Sequence, residues 1–160
     1  MGQDLFQHIL VPHDFTPESD RALRMAAGFA ASAGGDLTVV HVITPFYPLR
    51  DVTRAGADLL DPKELEARVL ARLERHVASL LDPEAARCVV ATGNPGQRIV
   101  HAAAAASCIV MPTSGRTGPA HALIGSTAER VVRFSPVPVL VLPPQRRSTA
   151  PRARRPAGRR

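Results

Sequence analysis

The stretch Asp36-Leu-Thr-Val-Val-His-Val-Ile43 decides the fold of this chain. It is rich in β-branched residues, which favour strands, and it is apolar along most of its length instead of alternating with polar residues. Strands of this kind are typical of parallel sheets that are covered by helices on both faces. We therefore predict a buried strand over residues 36–43.

The segments on either side extend this pattern. Further apolar strands are predicted at 7–12, 87–91, 108–111 and 138–142. Helices are predicted to begin at four residues that are suitable N-caps, namely Thr16, Asp61, Asn94 and Ser126. Glu64 and Glu129 follow two of these caps at the spacing of a capping box. The order βαβαβαβαβ predicts an α/β domain, in which ligands bind beyond the carboxyl ends of the strands.

The net charge of +6 and the pI near 10.9 arise in the C-terminal segment. Residues 145–160 hold seven of the 20 Lys and Arg residues and none of the 14 acids, so residues 1–144 keep 13 basic and 14 acidic residues. We predict a near-neutral domain over 1–144 and a disordered Arg/Pro-rich tail over 145–160, because the tail has no apolar residue larger than Ala. Since 19 of the 20 basic residues are Arg, the bias is global, and we favour a solvated extension over an arm for nucleic acid.

Length and composition exclude several classes of protein. A chain of 160 residues with 45% hydrophobic residues is typical of one globular domain. Its apolar runs are far shorter than the roughly 18 residues of a membrane span, and its first residues lack a signal-peptide pattern. Two cysteines do not form a disulfide framework. We expect a cytoplasmic protein without membrane contact.

The common catalytic and metal-binding motifs do not occur in the sequence. The phosphate loop G-x-x-x-x-G-K-[ST] is absent, and so are G-x-G-x-x-G after the first strand, a G-x-S-x-G elbow and any H-x-x-x-H spacing. We therefore predict no catalytic residue and no protein-ligated metal site. His41 and His76 are expected to be structural or solvent-facing, and His121 is expected to be a solvated loop residue.

Several segments, taken in order, resemble the universal stress protein family. They fall within residues 6–143 and are Ile9-Leu-Val-Pro-His-Asp14, His41-Val-Ile43, Gly93-x-Pro95, Gly125-Ser-Thr-Ala-Glu-Arg-Val131 and Pro136-Val-Pro-Val-Leu-Val141. The resemblance implies a single doubly wound open sheet of five mainly parallel strands in the order 3-2-1-4-5, with helices on both faces. This is the Rossmann-like type that binds adenine nucleotides.

In the nucleotide-binding branch of that family, G-x-x-G is followed after nine residues by G-[ST]. Gly115 and the Gly125-Ser126 pair fit this spacing, whereas Pro112 stands at the first glycine. The resemblance implies a partly matched ATP-binding motif at Gly115, Gly125 and Ser126. The residues themselves add phosphate donors, since the Ser126 and Thr127 hydroxyls can donate and the Arg116 side chain on the loop can reach a terminal phosphate. A glycine-rich turn and a helix N-terminus are physically suited to an anion, although Ser126 and Glu129 also fit a plain capping box.

Pro112 is expected to weaken ATP binding, because proline has no N–H to donate. One lost hydrogen bond to a charged oxygen corresponds to about 1.5–3 kcal/mol, or roughly ten- to a hundredfold in affinity.

The resemblance places the nucleoside at the ends of the first two strands. Pro12, His13 and Asp14 match the turn beside it, Val42 matches a residue next to the adenine, and Met111 completes the predicted set. In a functional role, the Asp14 carboxylate accepts a hydrogen bond from a ribose hydroxyl or helps to hold Mg²⁺. In a structural role, it caps the helix or fixes the turn. We expect His13 to narrow or redirect the pocket.

Two functions remain open at this point. The first is a stress-response protein that binds ATP, with or without Mg²⁺, as a regulatory ligand and has at most a weak ATPase activity. The alternative is a nucleotide-independent interaction protein that acts as a dimer. The apolar segment Val137–Leu142 is predicted to be an edge strand, which invites pairing with another chain, and the resemblance implies a homodimer through it.

Overall fold

Strands and helices alternate along the chain, as the sequence predicts. The computed structural model describes residues 4–44, 61–113 and 124–144. Its strands are β1 (His8–Pro12), β2 (Asp36–Ile43), β3 (Arg87–Thr92), β4 (Cys108–Pro112) and β5 (Val139–Leu142). Its helices are α1 (Pro17–Ala33), α2 (Pro62–Ala78), α3 (Pro95–Ala102) and α4 (Ser126–Phe134). The observed strand bounds differ from the predicted ones by one residue at most.

The five strands form one sheet in the order β3-β2-β1-β4-β5. All of its neighbouring strands are parallel, with His8 opposite Asp36 on one side of β1 and Ile9 opposite Cys108 on the other. The predicted fold class and strand order are therefore confirmed.

Two separate apolar cores explain why the strands are apolar along their whole length. On one face, Ile9 and Val11 of β1 pack with α1 and α2 residues such as Leu23 and Leu73. On the other face, Leu10 of β1 packs with residues of α3 and α4. Successive side chains of a strand point to opposite faces, so a sheet covered on both sides needs apolar residues at both.

Three helices begin with a side-chain cap, as predicted. The Thr16 hydroxyl caps α1 in a capping box with Ser19, Asp61 caps α2, and Asn94 caps α3 by accepting from the Gln97 N–H at 3.1 Å. The capping box predicted for α2 is wrong: Asp61 accepts from the Lys63 N–H at 3.4 Å, while Glu64 forms an ion pair with Arg68 on the next turn.

The predicted capping box at the start of α4 is wrong. Gly125 is the N-cap residue and provides no side chain, and Ser126 is already the first helical residue. Glu129 pairs with Arg133 one turn later instead of reaching back to the start of the helix. Helix α4 therefore begins without the side-chain cap that the other three helices have.

The four helices of the described residues are also shorter or more polar than a membrane span requires. None of them is long and apolar enough to cross a bilayer.

Candidate functional site

A cleft of about 710 Å³ opens beyond the carboxyl ends of β1, β2 and β4. At this edge the winding of the chain reverses, since β2 lies on one side of β1 and β4 on the other. Open parallel sheets bind ligands at such an edge, and small-molecule sites usually measure about 300–1,000 Å³. The position and size of the cleft therefore suit a small ligand.

Most residues that the sequence singles out lie together in this cleft. Those that line it are Pro12, His13, Asp14, Val42, Met111, Gly125, Ser126 and Thr127. The other two predicted residues, Gly115 and Arg116, lie outside the described residues, as does His121. The fold thus brings together four separate parts of the sequence at one edge of the sheet, from β1, β2, β4 and the start of α4.

The turn between β1 and α1 forms one wall of the cleft. The His13 N–H donates to the Val40 carbonyl at 2.9 Å, which continues the sheet pairing beyond β1. One carboxylate oxygen of Asp14, Oδ1, accepts from the Thr16 hydroxyl at 2.6 Å and from its backbone N–H at 3.3 Å. Asp14 therefore fixes the turn, which is one of the roles that the sequence left open for it.

The His13 ring does not project into the cleft, so the expectation that it narrows or redirects the pocket is wrong. Its side chain is 0% exposed, and its Nε2 lies 3.0 Å from Oδ1 of Asp20 on α1. Its Nδ1 accepts from the Phe15 N–H at 3.2 Å. The backbone of His13 lines the cleft while its imidazole supports the turn from behind.

His41 has a structural role at the cleft wall. Its Nδ1 lies 2.7 Å from the His13 carbonyl oxygen, which can only accept, so Nδ1 is the donor. This bond joins β2 to the turn. The Phe15 ring packs against the His41 ring with centroids 4.8 Å apart, and the Arg72 guanidinium lies 4.4 Å from the Phe15 centroid.

The opposite wall is the N-terminus of α4. Gly125 and the first helical residues, Ser126 and Thr127, line the cleft there. The first backbone N–H groups of a helix have no intrahelical acceptor, and no side chain of the described residues caps these. Together with the helix dipole, they form a site that favours negative charge.

Both flanks of the loop between β4 and α4 are held by backbone hydrogen bonds. The Gly125 N–H donates to the Thr113 carbonyl at 2.7 Å, and the Thr113 N–H donates to the Leu142 carbonyl at 2.9 Å. Pro112 is the last residue of β4, opposite Leu142, and it also lines the cleft. The start of α4 is therefore anchored to the sheet beside Pro112.

Behind the turn, Asp20 joins the rings of two histidines. Its Oδ1 lies 3.0 Å from Nε2 of His13 and 2.7 Å from Nε2 of His76 on α2. Burial lowers the pKa of His13 below its ordinary 6.5, although the Asp20 hydrogen bond and charge oppose this shift. Burial acts to raise the pKa of the Asp20 carboxyl, but the N–H groups donated by His76 and His13 outweigh it and bring the pKa below 3.8.

Some parts of the site were missed by the sequence reasoning. Val69 of α2 and Ile99 of α3 line the cleft, and both belong to the apolar stripe of a helix, which carries no separate signal for a ligand. The contact of His76 with Asp20 joins residues 56 positions apart. The spacing of the histidines within the sequence contains no indication of it.

The open parallel sheet with a cleft at its switch point defines the class as a doubly wound α/β domain. The profile of the Universal stress protein family matches residues 5–143. The chain belongs to the universal stress protein family.

Curated and solved relatives agree with this assignment. A universal stress protein of Methanocaldococcus jannaschii is 28% identical over 148 residues, which cover 88% of this chain and 84% of the relative. The solved structure of universal stress protein UspA from Lactobacillus plantarum has a TM-score of 0.63 at 23% identity, covering 86% of this chain and 97% of that one.

Two further solved structures are complexes with nucleotides. A universal stress protein from Archaeoglobus fulgidus in complex with dAMP has a TM-score of 0.53 at 22% identity, covering 86% of this chain and 98% of that one. A universal stress protein in complex with cAMP has a TM-score of 0.59 at 21% identity, covering 85% and 96% of the two chains. At these identities the likeness establishes the shared fold.

Proposed function

We propose that this protein is a stress-response factor that binds ATP in the cleft as a regulatory ligand. The observation that carries the proposal is that the cleft ends at the start of α4, where Gly125 leaves the helix without a side-chain cap. An N-terminus of this kind attracts phosphate. The proposal places the phosphates at Gly125, Ser126 and Thr127.

The opposite part of the cleft suits an adenosine group. Val42 and Met111 line the cleft with apolar side chains at the predicted position of the base, and Asp14 lines the cleft as well. We assign the Asp14 carboxylate as the acceptor of a hydrogen bond from a ribose hydroxyl, in addition to the two hydrogen bonds that it accepts from Thr16. Mg²⁺ accompanies the phosphates in this proposal, and no described residue is assigned to the ion.

Nucleotide complexes of related folds support the choice of an adenine nucleotide. Two structural neighbours were solved with cAMP and with dAMP. Both ligands contain adenine and a phosphate group, which are the two parts that the cleft of this protein would have to accommodate.

Rapid hydrolysis is not part of the proposal. Asp14 is the single carboxylate among the described residues that line the cleft, and it already accepts two hydrogen bonds from Thr16. A general base must be within hydrogen-bond reach of the attacking water. We therefore expect at most a weak ATPase activity.

We also propose a cytoplasmic homodimer through β5. This strand lies at the edge of the sheet, and Leu140 on it is 39% exposed. An apolar edge strand exposes unpaired backbone groups to another chain, and a two-fold axis would bring two copies of the same surface together.

A nucleotide-independent interaction protein is the second candidate. Pro112 favours it, since no N–H is available at that position on the cleft wall. Exposed apolar side chains favour it as well: Val132 and Phe134 on α4 are 48% and 58% exposed. In this alternative, the cleft is structural and the surface of α4 and β5 binds a partner.

Isothermal titration with ATP and Mg²⁺ separates the two candidates. Saturable heats are expected if the protein binds the nucleotide. Heats equal to those of buffer up to millimolar ATP would refute nucleotide binding and favour the nucleotide-independent interaction protein. Gly125→Val is expected to abolish binding, because the added side chain is placed at the phosphate position.

The fold should tolerate this substitution, since Gly125 has φ −63° and ψ 153°, a region that any residue adopts. Gly28→Val is the matched control, because Gly28 has no neighbour within 4 Å of its added Cβ and does not line the cleft. Normal ATP binding by Gly125→Val would refute the phosphate position.

A further inference from the structure

The hydrogen bonds behind the cleft define the proton positions of the His13 ring. An ionised carboxylate is only an acceptor, so Oδ1 of Asp20 requires a proton on Nε2 of both His13 and His76. Nδ1 of His13 accepts from the Phe15 N–H and therefore carries a lone pair. His13 is neutral, with its proton on Nε2.

This pattern of protons also decides whether Nε2 of His13 carries a proton or binds a metal ion. The ligand atoms of His13, Asp20 and His76 lie within 4.8 Å of one another, as a metal site would need. A metal on Nε2 of His13 would move the ring proton to Nδ1, where it would face the Phe15 N–H. The Nδ1–H of His13 and the Phe15 N–H would then be two donors facing each other, so the observed geometry fits a proton, and not a metal ion, on Nε2.

The hydrogen bond to Phe15 matters because the backbone of this residue is unusual. Phe15 has φ +63° and is the one described residue other than glycine with a positive φ. Such a conformation costs an L-residue free energy and persists where the surroundings hold it. Here the surroundings are the His13 Nδ1 acceptor and the ring contacts of Phe15 with His13, His41 and His76.

The same turn connects the cluster to the cleft. His13 and Asp14 line the cleft on one side, while Phe15 and the His13 ring face Asp20 and His76 on the other. A change in the Phe15 conformation would therefore move Asp14, whose Oδ1 bonds to Thr16 on the far side of Phe15.

We propose that Asp20 and His76 are positioning residues for the cleft: they hold the neutral His13 ring so that its Nδ1 fixes the Phe15 turn, and protonation of His13 releases that turn and weakens nucleotide binding. This inference rests on the proposed nucleotide-binding function. A protonated Nδ1 donates instead of accepting, so it opposes the Phe15 N–H.

The direction of the pH dependence follows from the groups around His13. Its burial lowers the pKa of the ring, Asp20 on α1 and Asp14 on the turn act to raise it, and the charge of His76 on α2 acts to lower it. Arg72 of α2 lies over Phe15, and His41 of β2 bonds to the His13 carbonyl. Since the net effect is a lowered pKa, His13 is neutral above pH 6.5, and affinity is expected to fall only below that pH.

The first test follows the nucleotide-free protein by NMR from about pH 8 to about pH 5. The His13 ring nitrogens should report the Nε2–H form, and the Phe15 amide proton should shift together with the titration of His13. A proton on Nδ1 at neutral pH would overturn the inference, and so would a Phe15 amide that does not follow His13.

The second test measures ATP affinity over the same pH range. If the released turn does not bind nucleotide, affinity falls about tenfold per pH unit below the pKa of His13. In Asp20→Asn the midpoint should move to lower pH, because the Asp20 charge and hydrogen bond act to raise the pKa of His13. Asp36→Asn is the matched control, since Asp36 pairs with His8 at 3.3 Å on the exposed surface, and its midpoint should equal that of the wild type.

His13→Asn tests the role of the acceptor itself. Asn Oδ1 accepts from a backbone N–H two residues further on in an Asx-turn and takes no proton in this pH range. Its ATP affinity should therefore be independent of pH where that of the wild type falls. An unchanged pH dependence in this variant would overturn the inference.

The outcomes distinguish this inference from the proposed function. Absence of ATP binding at every pH would overturn the proposed function and the link to nucleotide affinity, while the NMR titration decides by itself whether His13 controls the Phe15 turn. Stoichiometric Zn²⁺ binding at micromolar concentration that is lost in His76→Gln would assign the cluster to a metal and overturn the inference.

Discussion

Replacing Phe15 with alanine or with glycine tests the unusual turn at the cleft. Both substitutions remove the contacts of the Phe15 ring with His13, His41 and His76, so these losses cancel when the two variants are compared. What remains is the backbone, which has φ +63° at this position. Alanine in that region costs about 1–2 kcal/mol, whereas glycine adopts it freely.

Glycine has more conformational freedom in the unfolded chain, which opposes this advantage by roughly 0.4–1 kcal/mol. We therefore expect Phe15→Gly to be more stable than Phe15→Ala by about 0.5–1 kcal/mol. The free energy of unfolding is measured by urea titration with circular dichroism as the signal, and the two variants should have similar m-values.

Phe29 provides the matched control because it lies within α1 and packs on Phe6 with ring centroids 4.9 Å apart. In a helix the order is reversed, since glycine is less favourable than alanine by about 0.8–1.0 kcal/mol. Phe29→Ala should therefore be more stable than Phe29→Gly. The same order at Phe15 as at Phe29 would refute the left-handed conformation of Phe15.

Four further predictions concern the cluster, the cleft, the edge strand and the tail. Because the pKa of His13 is lowered in the folded protein, the unfolded state takes up this proton at a higher pH, and the free energy of unfolding should fall as the pH drops below 6.5. The lowered pKa of Asp20 should reduce the free energy of unfolding further below pH 3.8. Urea titrations at a series of pH values measure both effects. Pro112→Gly should tighten ATP binding by about tenfold or more in calorimetric titration, and an unchanged affinity would show that no N–H contact is missing there. Leu140→Arg should produce a monomer in sedimentation experiments at micromolar concentration, whereas a persisting dimer would exclude β5 as the interface. Deletion of 145–160 should leave the unfolding midpoint and ATP affinity unchanged, and loss of salt-sensitive DNA retention on deletion would instead support the nucleic-acid arm.

Local signals were sufficient for the secondary structure. The strand at Asp36–Ile43 and the helix starts at Thr16 and Asn94 were predicted because β-branched runs and N-cap residues act within a few positions of the chain. Local reasoning was wrong at Ser126, where the spacing of a capping box is present but Gly125 is the cap. Glu129 pairs instead with Arg133 four residues on; the sequence contains this spacing, but local reasoning gives no weight to it over the capping box.

The candidate cleft could be predicted in part because the resemblance assigned residues at the ends of strands. Pro12, Asp14, Val42 and Met111 line the cleft as a consequence of the parallel order of the sheet. The direction of the His13 ring was not predictable, since it depends on Asp20 and on a helix that begins 49 residues further along the chain, at Pro62.

The sequence by itself determined the order of strands and helices, the two-sided apolar pattern of the sheet and the edge at which a ligand would bind, because each depends on residues that are neighbours in the chain. Only the tertiary structure decided the proton positions and the strained turn at Phe15. These depend on Asp20, His13 and His76, whose side chains come together only when α1 and α2 pack on the same face of the sheet.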